Sequence, residues 1–165
     1  MQKRWNINDN IDYQTVSSLA QQLNVSSLIA TLLVQRGITD FNGAKDFFRP
    51  SLDNLHNPFL MKGMQKAVDR ILLALQNKEK ILIYGDYDVD GTTSVALVYS
   101  YFSRFYTEIG FYIPDRYKEG YGISFIGIDF ASDNDFKLII ALDCGIKAID
   151  KIEKKKKKGI DFIIC

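Results

Sequence analysis

The segment from Ile81 to Val98 constrains the fold more strongly than any other part of the sequence. It opens with a short apolar run rich in β-branched residues, which is typical of a buried strand in a parallel sheet. An acidic turn follows, and the apolar and aromatic residues 94–102 then predict a helix. The turn carries three aspartates at alternate positions and a closing glycine, namely Asp86, Asp88, Asp90 and Gly91.

The acidic turn predicts a cation site. Open α/β sheets bind their ligands at the carboxyl ends of their strands, which is where this turn lies. Three crowded carboxylates repel one another unless positive charge offsets the repulsion. A hard divalent cation is the simplest source of that charge.

A fourth aspartate follows another predicted strand. Short apolar runs predict strands at residues 109–113, 136–142 and 160–165, and Asp143 comes directly after the second of these runs. Since the carboxyl ends of neighbouring parallel strands lie close together, Asp143 can meet Asp88 and Asp90 around one or two metal ions. The alternative is that Asp143 only caps the helix predicted after it.

The remaining pattern predicts an α/β domain with a mostly parallel sheet and flanking helices, preceded by a small helical region. The predicted division places the helical region at residues 1–58 and the larger domain at residues 59–165. An amphipathic helix at 64–75 leads into the central strand, and Ser124 can cap a helix that runs to about residue 131. Three helices are also predicted in the first region. Apolar spacing predicts one at 16–23, Ser26 and Ser27 can cap one at 28–34, and Thr39 or Asp40 can cap one at 44–48.

The loop over residues 114–124 is the predicted substrate contact. Its glycines allow close approach of a ligand to the backbone. An arginine can pair bidentately with phosphate, and a tyrosine ring can stack on a nucleic-acid base. The alternative is a turn with ordinary surface side chains. The candidate residues are Arg116, Lys118, Tyr121 and Gly122.

The acidic turn is open to several interpretations. An EF-hand calcium loop needs a bidentate glutamate at its twelfth position, but Leu97 stands there. A phosphatase of the haloacid dehalogenase type would use Asp88 as nucleophile and Asp90 as general acid and base. In a metal-dependent phosphoesterase both aspartates would be metal ligands. A solvated loop with one helix cap would need only one aspartate.

The run from Tyr84 to Ser94 resembles the first motif of the DHH phosphoesterase superfamily, and Leu142–Ile146 resembles the second. Within that superfamily the chain resembles the RecJ single-strand-specific exonucleases. The segments that carry this resemblance are Arg36–Ile38, Ala44–Pro50, Pro58–Met61, Ala67–Ile71 and Pro114–Gly122.

The resemblance implies hydrolysis of single-stranded DNA from the 5′ end, in repair and recombination. It also implies a two-metal mechanism with Mn²⁺ or Mg²⁺, in which Asp88, Asp90 and Asp143 are ligands and Asp86 either binds metal or lies behind the ligands. In the family the strand ending at Cys165 is followed by Asp-His-His, so we expect an inactive N-terminal fragment that lacks the histidine ligands. Two alternatives are another DHH phosphoesterase, acting on oligoribonucleotides, cyclic dinucleotides or pyrophosphate, and a non-catalytic remnant that binds nucleic acid.

Composition limits the remaining classes of function. The 165 residues carry a formal net charge of +1, so any nucleic-acid surface must be local. No apolar run is long enough to span a membrane, and the N-terminus lacks the apolar core of a signal peptide. The two cysteines give no disulfide framework, so we expect a cytoplasmic location. The five lysines at 154–158 are expected to form a solvated helix face.

Overall fold

The computed structural model describes Arg4, Asn6, residues 10–156 and residues 159–165, with the side chains of 154–156 left out. This chain divides into two compact units, one up to Asn57 and the other from Pro58 to Cys165. Within the described residues, no helix has both the length and the apolar character needed to cross a bilayer. The prediction for the lysine side chains at 154–158 lies outside the described residues.

The first unit is helical because capping residues begin its helices and apolar residues recur at helical spacing. Asp12, Ser26 and Asp40 each accept a hydrogen bond from a backbone N–H in the first turn of the helix that they cap. The core formed between the first two helices contains Val16, Leu19, Ala30 and Leu33. The helices are α1 (Tyr13–Leu23), α2 (Ser27–Val34) and α3 (Phe41–Phe48), followed by a 3₁₀ turn at Leu52–Asn54.

The second unit contains a four-stranded sheet in which every pairing is parallel. Its strand order is β2-β1-β3-β4, so the two central strands are those that precede the predicted acidic residues. The predicted fold class is therefore confirmed. The strands are β1 (Lys80–Gly85), β2 (Ile109–Tyr112), β3 (Phe136–Leu142) and β4 (Asp161–Ile164).

Helices cover both faces of the sheet. Ile81 and Ile83 of β1 pack on one face with Ala74 and Val95, whereas Leu82 and Tyr84 pack on the other. Such alternation follows from the twofold side-chain period of a strand, and burial on both faces explains the nearly continuous apolar runs. After a 3₁₀ turn at Pro58–Leu60, the helices are α4 (Met64–Gln76), α5 (Val89–Phe102), α6 (Phe125–Asp133) and α7 (Ile149–Lys156).

The start of α5 differs from the prediction. The helix begins at Val89, five residues before the predicted start at Ser94, so the acidic turn is largely the first turn of the helix. Asp88 accepts a hydrogen bond from the Gly91 N–H at 2.9 Å and is the N-cap. An EF-hand loop is thereby excluded, because the residues that would wrap around calcium are helical.

The strand order places a topological switch between β1 and β3. The chain leaves β1 for β2 on one side, and it then returns across β1 to form β3 on the other side. Crevices at such switch points are where open α/β sheets bind ligands.

Candidate metal and nucleic-acid site

Asp86 and Asp143 leave the sheet side by side. Gly85 of β1 is the register partner of Leu142 of β3, and each aspartate is the next residue of its strand. Hydrogen-bonded strands lie about 4.8 Å apart, so the shared register brings these two segments together at the switch point. Asp143 adopts a left-handed conformation with φ of 54°, which is uncommon for a residue other than glycine.

Asp86 is completely buried, and two backbone groups hold its carboxylate. The Tyr87 N–H donates to one oxygen and the Gly122 N–H to the other, both at 2.7 Å. A carboxylate has about four lone-pair positions, so each oxygen keeps the capacity to accept a further partner. Burial of this charge is tolerated because both of its oxygens are hydrogen-bonded.

Asp88 is held between its own helix and the 114–124 loop. One oxygen accepts from the Gly91 N–H, and the other accepts from the Tyr121 hydroxyl at 3.1 Å. The tyrosine contact links residues that lie far apart in the sequence, so it depends on the fold. The loop therefore reaches two of the predicted ligands, through Gly122 to Asp86 and through Tyr121 to Asp88.

Asp90 and Asp143 are exposed and line a common cavity of about 640 Å³ with Cys165. Asp143 also lines a second cavity, of about 370 Å³, together with Tyr121 and two lysines of the following segment. Asp143 thus lies between the two cavities. The lysines are Lys147 and Lys151.

Asp86, Asp88 and Asp143 all raise the pKa values of the same two neighbouring groups, Tyr121 and Cys144. Hydrogen bonding to Asp88 and the charge of that carboxylate raise the pKa of Tyr121 to about 12, with smaller contributions from Asp86 and Asp143. Burial raises the pKa of the Cys144 thiol to about 12, and the same three aspartates add to the effect. Their negative fields therefore overlap, which is the condition that favours a cation.

The donor chemistry of the site fits a hard divalent cation. In the part of the chain that the structure describes, none of the four aspartates forms an ion pair with a lysine or arginine. Oxygen donors without a protein countercharge suit Mg²⁺ or Mn²⁺. Over the same residues, however, no three acidic, histidine or cysteine side chains come close enough together to hold a metal ion. The full ligand set stays a prediction.

An aromatic and basic group borders the carboxylates. The Arg116 guanidinium lies 5.1 Å from the centre of the Tyr87 ring, and the rings of Tyr87 and Tyr121 meet edge to face at 5.8 Å. Lys118 is exposed, and its backbone N–H donates to Asp115 within the loop. Of the four predicted substrate residues, Tyr121 and Gly122 contact the acidic site directly, whereas Arg116 reaches it through Tyr87.

Sequence reasoning missed Tyr87 and Glu119 as members of this site. Tyr87 connects Arg116 to Tyr121 through ring contacts. Glu119 accepts hydrogen bonds from Tyr112, Asp115 and Ser124. The only signal in the sequence was an aromatic residue between two aspartates and an acidic residue in a loop of basic and aromatic residues.

Comparisons with known proteins show the family of the chain. Residues 80–165 match the N-terminal domain of the DHH family. The single-stranded-DNA-specific exonuclease RecJ of Bacillus subtilis is 41% identical over 161 residues, which are 98% of this chain and 20% of that protein. The exonuclease of the same name from Haemophilus influenzae is 31% identical over 115 residues, covering 69% of this chain and 20% of that protein. The chain thus spans about one fifth of the length of these relatives.

Solved structures give the same result. A crystal structure of exonuclease RecJ bound to manganese superimposes with a TM-score of 0.58 at 27% identity, covering 63% of this chain and 27% of that one. RecJ from Thermus thermophilus in complex with Mn²⁺ gives a TM-score of 0.67 at 21% identity, with 93% and 21% covered. The second likeness shows the fold alone. The predicted resemblance to the RecJ exonucleases is confirmed.

Proposed function

The chain belongs to the DHH family, and from this premise we propose that it supplies the acidic metal site of an exonuclease of RecJ type that degrades single-stranded DNA. The observation that carries the proposal is the position of Asp86 and Asp143 at paired strand ends on the switch point. Asp88 lies in the same negative field. The 41% identity over 98% of the chain to a single-strand-specific exonuclease supports this substrate class.

The finer parts of the proposal rest on the resemblance. They are digestion from the 5′ end, a role in repair and recombination, two ions of Mn²⁺ or Mg²⁺, and a cytoplasmic location. The proposed ligands are Asp88, Asp90 and Asp143, with Asp86 as a ligand or directly behind them. The proposed division into a helical region of residues 1–58 and a phosphoesterase part of residues 59–165 belongs with these predictions.

Each side chain has a proposed task. When bound, a divalent metal supplies positive charge to the phosphodiester and lowers the pKa of water. The Gly122 N–H and the Tyr121 hydroxyl fix the orientation of Asp86 and Asp88, respectively. Arg116 pairs with a backbone phosphate of the strand, and the neighbouring rings of Tyr87 and Tyr121 offer faces for bases.

The test is a nuclease assay with the full product of the gene that encodes this chain, because the chain by itself is expected to be inactive. Single-stranded DNA labelled at either end is incubated with Mn²⁺, with Mg²⁺ or with excess EDTA, and a duplex of the same sequence serves as control. We expect metal-dependent release of nucleotides, beginning at the 5′ label, and no release in EDTA. Mn²⁺ titration by calorimetry gives a second readout that does not depend on cleavage.

Other results of these assays would favour one of the alternative functions. Trapping of an aspartyl-phosphate on Asp88 would favour the phosphatase. Cleavage of dinucleotides or pyrophosphate without cleavage of DNA would favour another DHH phosphoesterase. Binding of single strands without cleavage in any metal would contradict catalysis and favour a binding module.

Replacing Arg116 by alanine is expected to raise the KM for single-stranded DNA about tenfold, with little change in kcat. A hydrogen bond to a charged group contributes about 1.5–3 kcal/mol, and about 1.4 kcal/mol corresponds to a factor of ten. Steady-state kinetics on labelled oligonucleotides measure both constants. The matched control is Arg104→Ala, because Arg104 is an exposed arginine in the turn between α5 and β2. An unchanged KM in the Arg116 variant would remove this residue from the substrate site.

A further inference from the structure

The carboxylate of Glu119 collects three hydrogen bonds from separate parts of the second unit. The Tyr112 hydroxyl at the end of β2 lies 2.9 Å from both oxygens, and the Asp115 N–H donates to one of them at 2.7 Å. The hydroxyl of Ser124, the N-cap of α6, donates to the other oxygen. The Glu119 carboxylate is therefore hydrogen-bonded to the end of a strand, the beginning of a loop and the start of a helix.

These contacts close the 114–124 loop at both of its ends. Asp115 lies at the beginning of the loop and Ser124 at its end, and both donate to the same carboxylate. Between them the backbone turns at Gly120 and Gly122, which have φ of 78° and 83°. Glycine leaves these positions conformationally free in the unfolded chain. The hydrogen bonds to Glu119 are therefore needed to hold the loop in a single conformation.

The part of the loop that Glu119 holds is the part that contacts the acidic site. Tyr121 donates to Asp88, and Gly122 donates to Asp86. A second contact supports the same segment, because the buried Tyr84 hydroxyl donates to the Gly122 carbonyl and accepts from the Ser124 N–H. Glu119 itself touches none of the four aspartates among the described contacts.

We propose that Glu119 is a positioning residue, which holds the 114–124 loop in the shape that orients Asp86 and Asp88 for metal. The inference rests on the proposed function of the acidic site. It assigns Glu119 a role in metal affinity and turnover, although its side chain contacts neither the proposed ligands nor the substrate. Loss of its carboxylate frees the loop, so that the Tyr121 and Gly122 donors no longer fix the two aspartates.

The test compares Glu119→Ala and Glu119→Gln with the unchanged protein, each prepared as the full product of the gene. Glutamine keeps an oxygen that accepts from Tyr112 or Asp115, and its amide can donate to Ser124. Amide hydrogen exchange across residues 115–124 is measured without metal, and Mn²⁺ affinity is measured by calorimetry. Turnover of single-stranded DNA then gives kcat and KM.

We expect Glu119→Ala to speed amide exchange in the loop about tenfold or more and to weaken Mn²⁺ binding by about 10- to 100-fold, the range found when partners of metal ligands are removed. The value of kcat should fall, and KM should rise as well, because Arg116, the proposed phosphate contact, lies in the same freed loop. The glutamine variant should recover most of the loss in all three measurements.

The matched control is Asp12→Ala in the first unit. Asp12 is also a hydrogen-bonded carboxylate, which accepts from the Gln14 N–H and the Thr15 hydroxyl. Its loss should disturb α1 and leave both the loop and the Mn²⁺ affinity unchanged. A general effect of removing a hydrogen-bonded carboxylate would appear in this variant as well.

The outcomes separate the two proposals. If the unchanged protein neither binds Mn²⁺ nor cleaves DNA, the proposed function fails, and loop exchange still reports on Glu119. If it binds Mn²⁺ but Glu119→Ala shows the same loop exchange and affinity, the positioning role is wrong. Should circular dichroism show that the alanine variant is unfolded, Tyr112→Phe replaces it, because this change removes a single donor to Glu119 and must give a smaller shift in the same direction.

Discussion

Replacing Asp88 by asparagine is expected to reduce metal-dependent cleavage of single-stranded DNA by about 100-fold or more. Loss of a hydrogen-bond partner of a metal ligand already costs about 10- to 100-fold in affinity or activity, and Asp88 is proposed as a ligand itself. Asparagine keeps the shape of the side chain but removes its negative charge, so the attraction for a divalent cation falls. Mn²⁺ calorimetry and cleavage rates measure the two effects separately.

Asparagine tests metal binding more cleanly than alanine does, because Asp88 also caps α5 and alanine would remove the cap together with the charge. Relief of the repulsion between neighbouring carboxylates would by itself leave the stability of Asp88→Ala intact or raise it. Alanine also removes the helix cap, which lowers stability, since the Asp88 side chain accepts a hydrogen bond from the Gly91 N–H. Replacing an aspartate N-cap by alanine costs about 0.5–2 kcal/mol, whereas asparagine caps about as well as aspartate. We therefore expect thermal unfolding to shift downwards in Asp88→Ala and to change little in Asp88→Asn.

Asp40→Asn is the matched control for this prediction. Asp40 caps α3 in the first unit and accepts from the Gly43 N–H at 2.9 Å, the same contact that Asp88 makes with Gly91. Its substitution should change neither Mn²⁺ affinity nor cleavage. Full activity in Asp88→Asn would contradict the metal-ligand assignment, and an equal loss in both variants would point to a general effect of changing a helix cap.

Much of the second unit could be predicted because its strands are short apolar runs. The predicted strand Phe136–Leu142 agrees with β3 at both ends, and Ser124 caps α6 as expected. Burial on both faces of a parallel sheet makes such runs conspicuous. The start of α5 was placed too late, because aspartate and glycine have low helix propensity. In the folded chain the cap at Asp88 and the position of Asp90 near the positive end of the helix offset that preference.

The site was predictable only in part. The carboxyl ends of parallel strands lie at the same edge of an open α/β sheet, so the sequence alone predicts that Asp143 lies near the acidic turn. Which residues of the 114–124 loop contact the aspartates depends on the left-handed turns at Gly120 and Gly122 and on the ties to Glu119. Apolar periodicity does not describe such a loop, so the contact of Tyr121 with Asp88 had no signal in the sequence.

Replacing Gly91 by alanine is expected to destabilise the second unit by at least about 3 kcal/mol, at the upper end of the usual cost of overpacking. A Cβ at this position would lie 2.5 Å from both the backbone nitrogen and the backbone oxygen of Asp86. Backbone atoms of a buried residue cannot rotate away, so either α5 or the end of β1 must move. Either movement displaces Asp86 relative to Asp88, and Mn²⁺ affinity should fall together with stability.

Gly43→Ala is a control at the same helical position. Gly43 and Gly91 are each the third residue after an aspartate N-cap, and each donates its N–H to that aspartate. A Cβ on Gly43 would make only ordinary contacts, 3.5 Å from Ile38 and 3.7 Å from Asp40. Alanine there should stabilise α3 by up to about 1 kcal/mol, because glycine costs about that much in a helix.

Amide hydrogen exchange resolves the two helices, so the stability of α5 in Gly91→Ala and that of α3 in Gly43→Ala are each measured against the unchanged protein. If Gly91→Ala were as stable as Gly43→Ala, then α5 would not cross the end of β1 as closely as described, and the orientation of Asp86 would need a different origin.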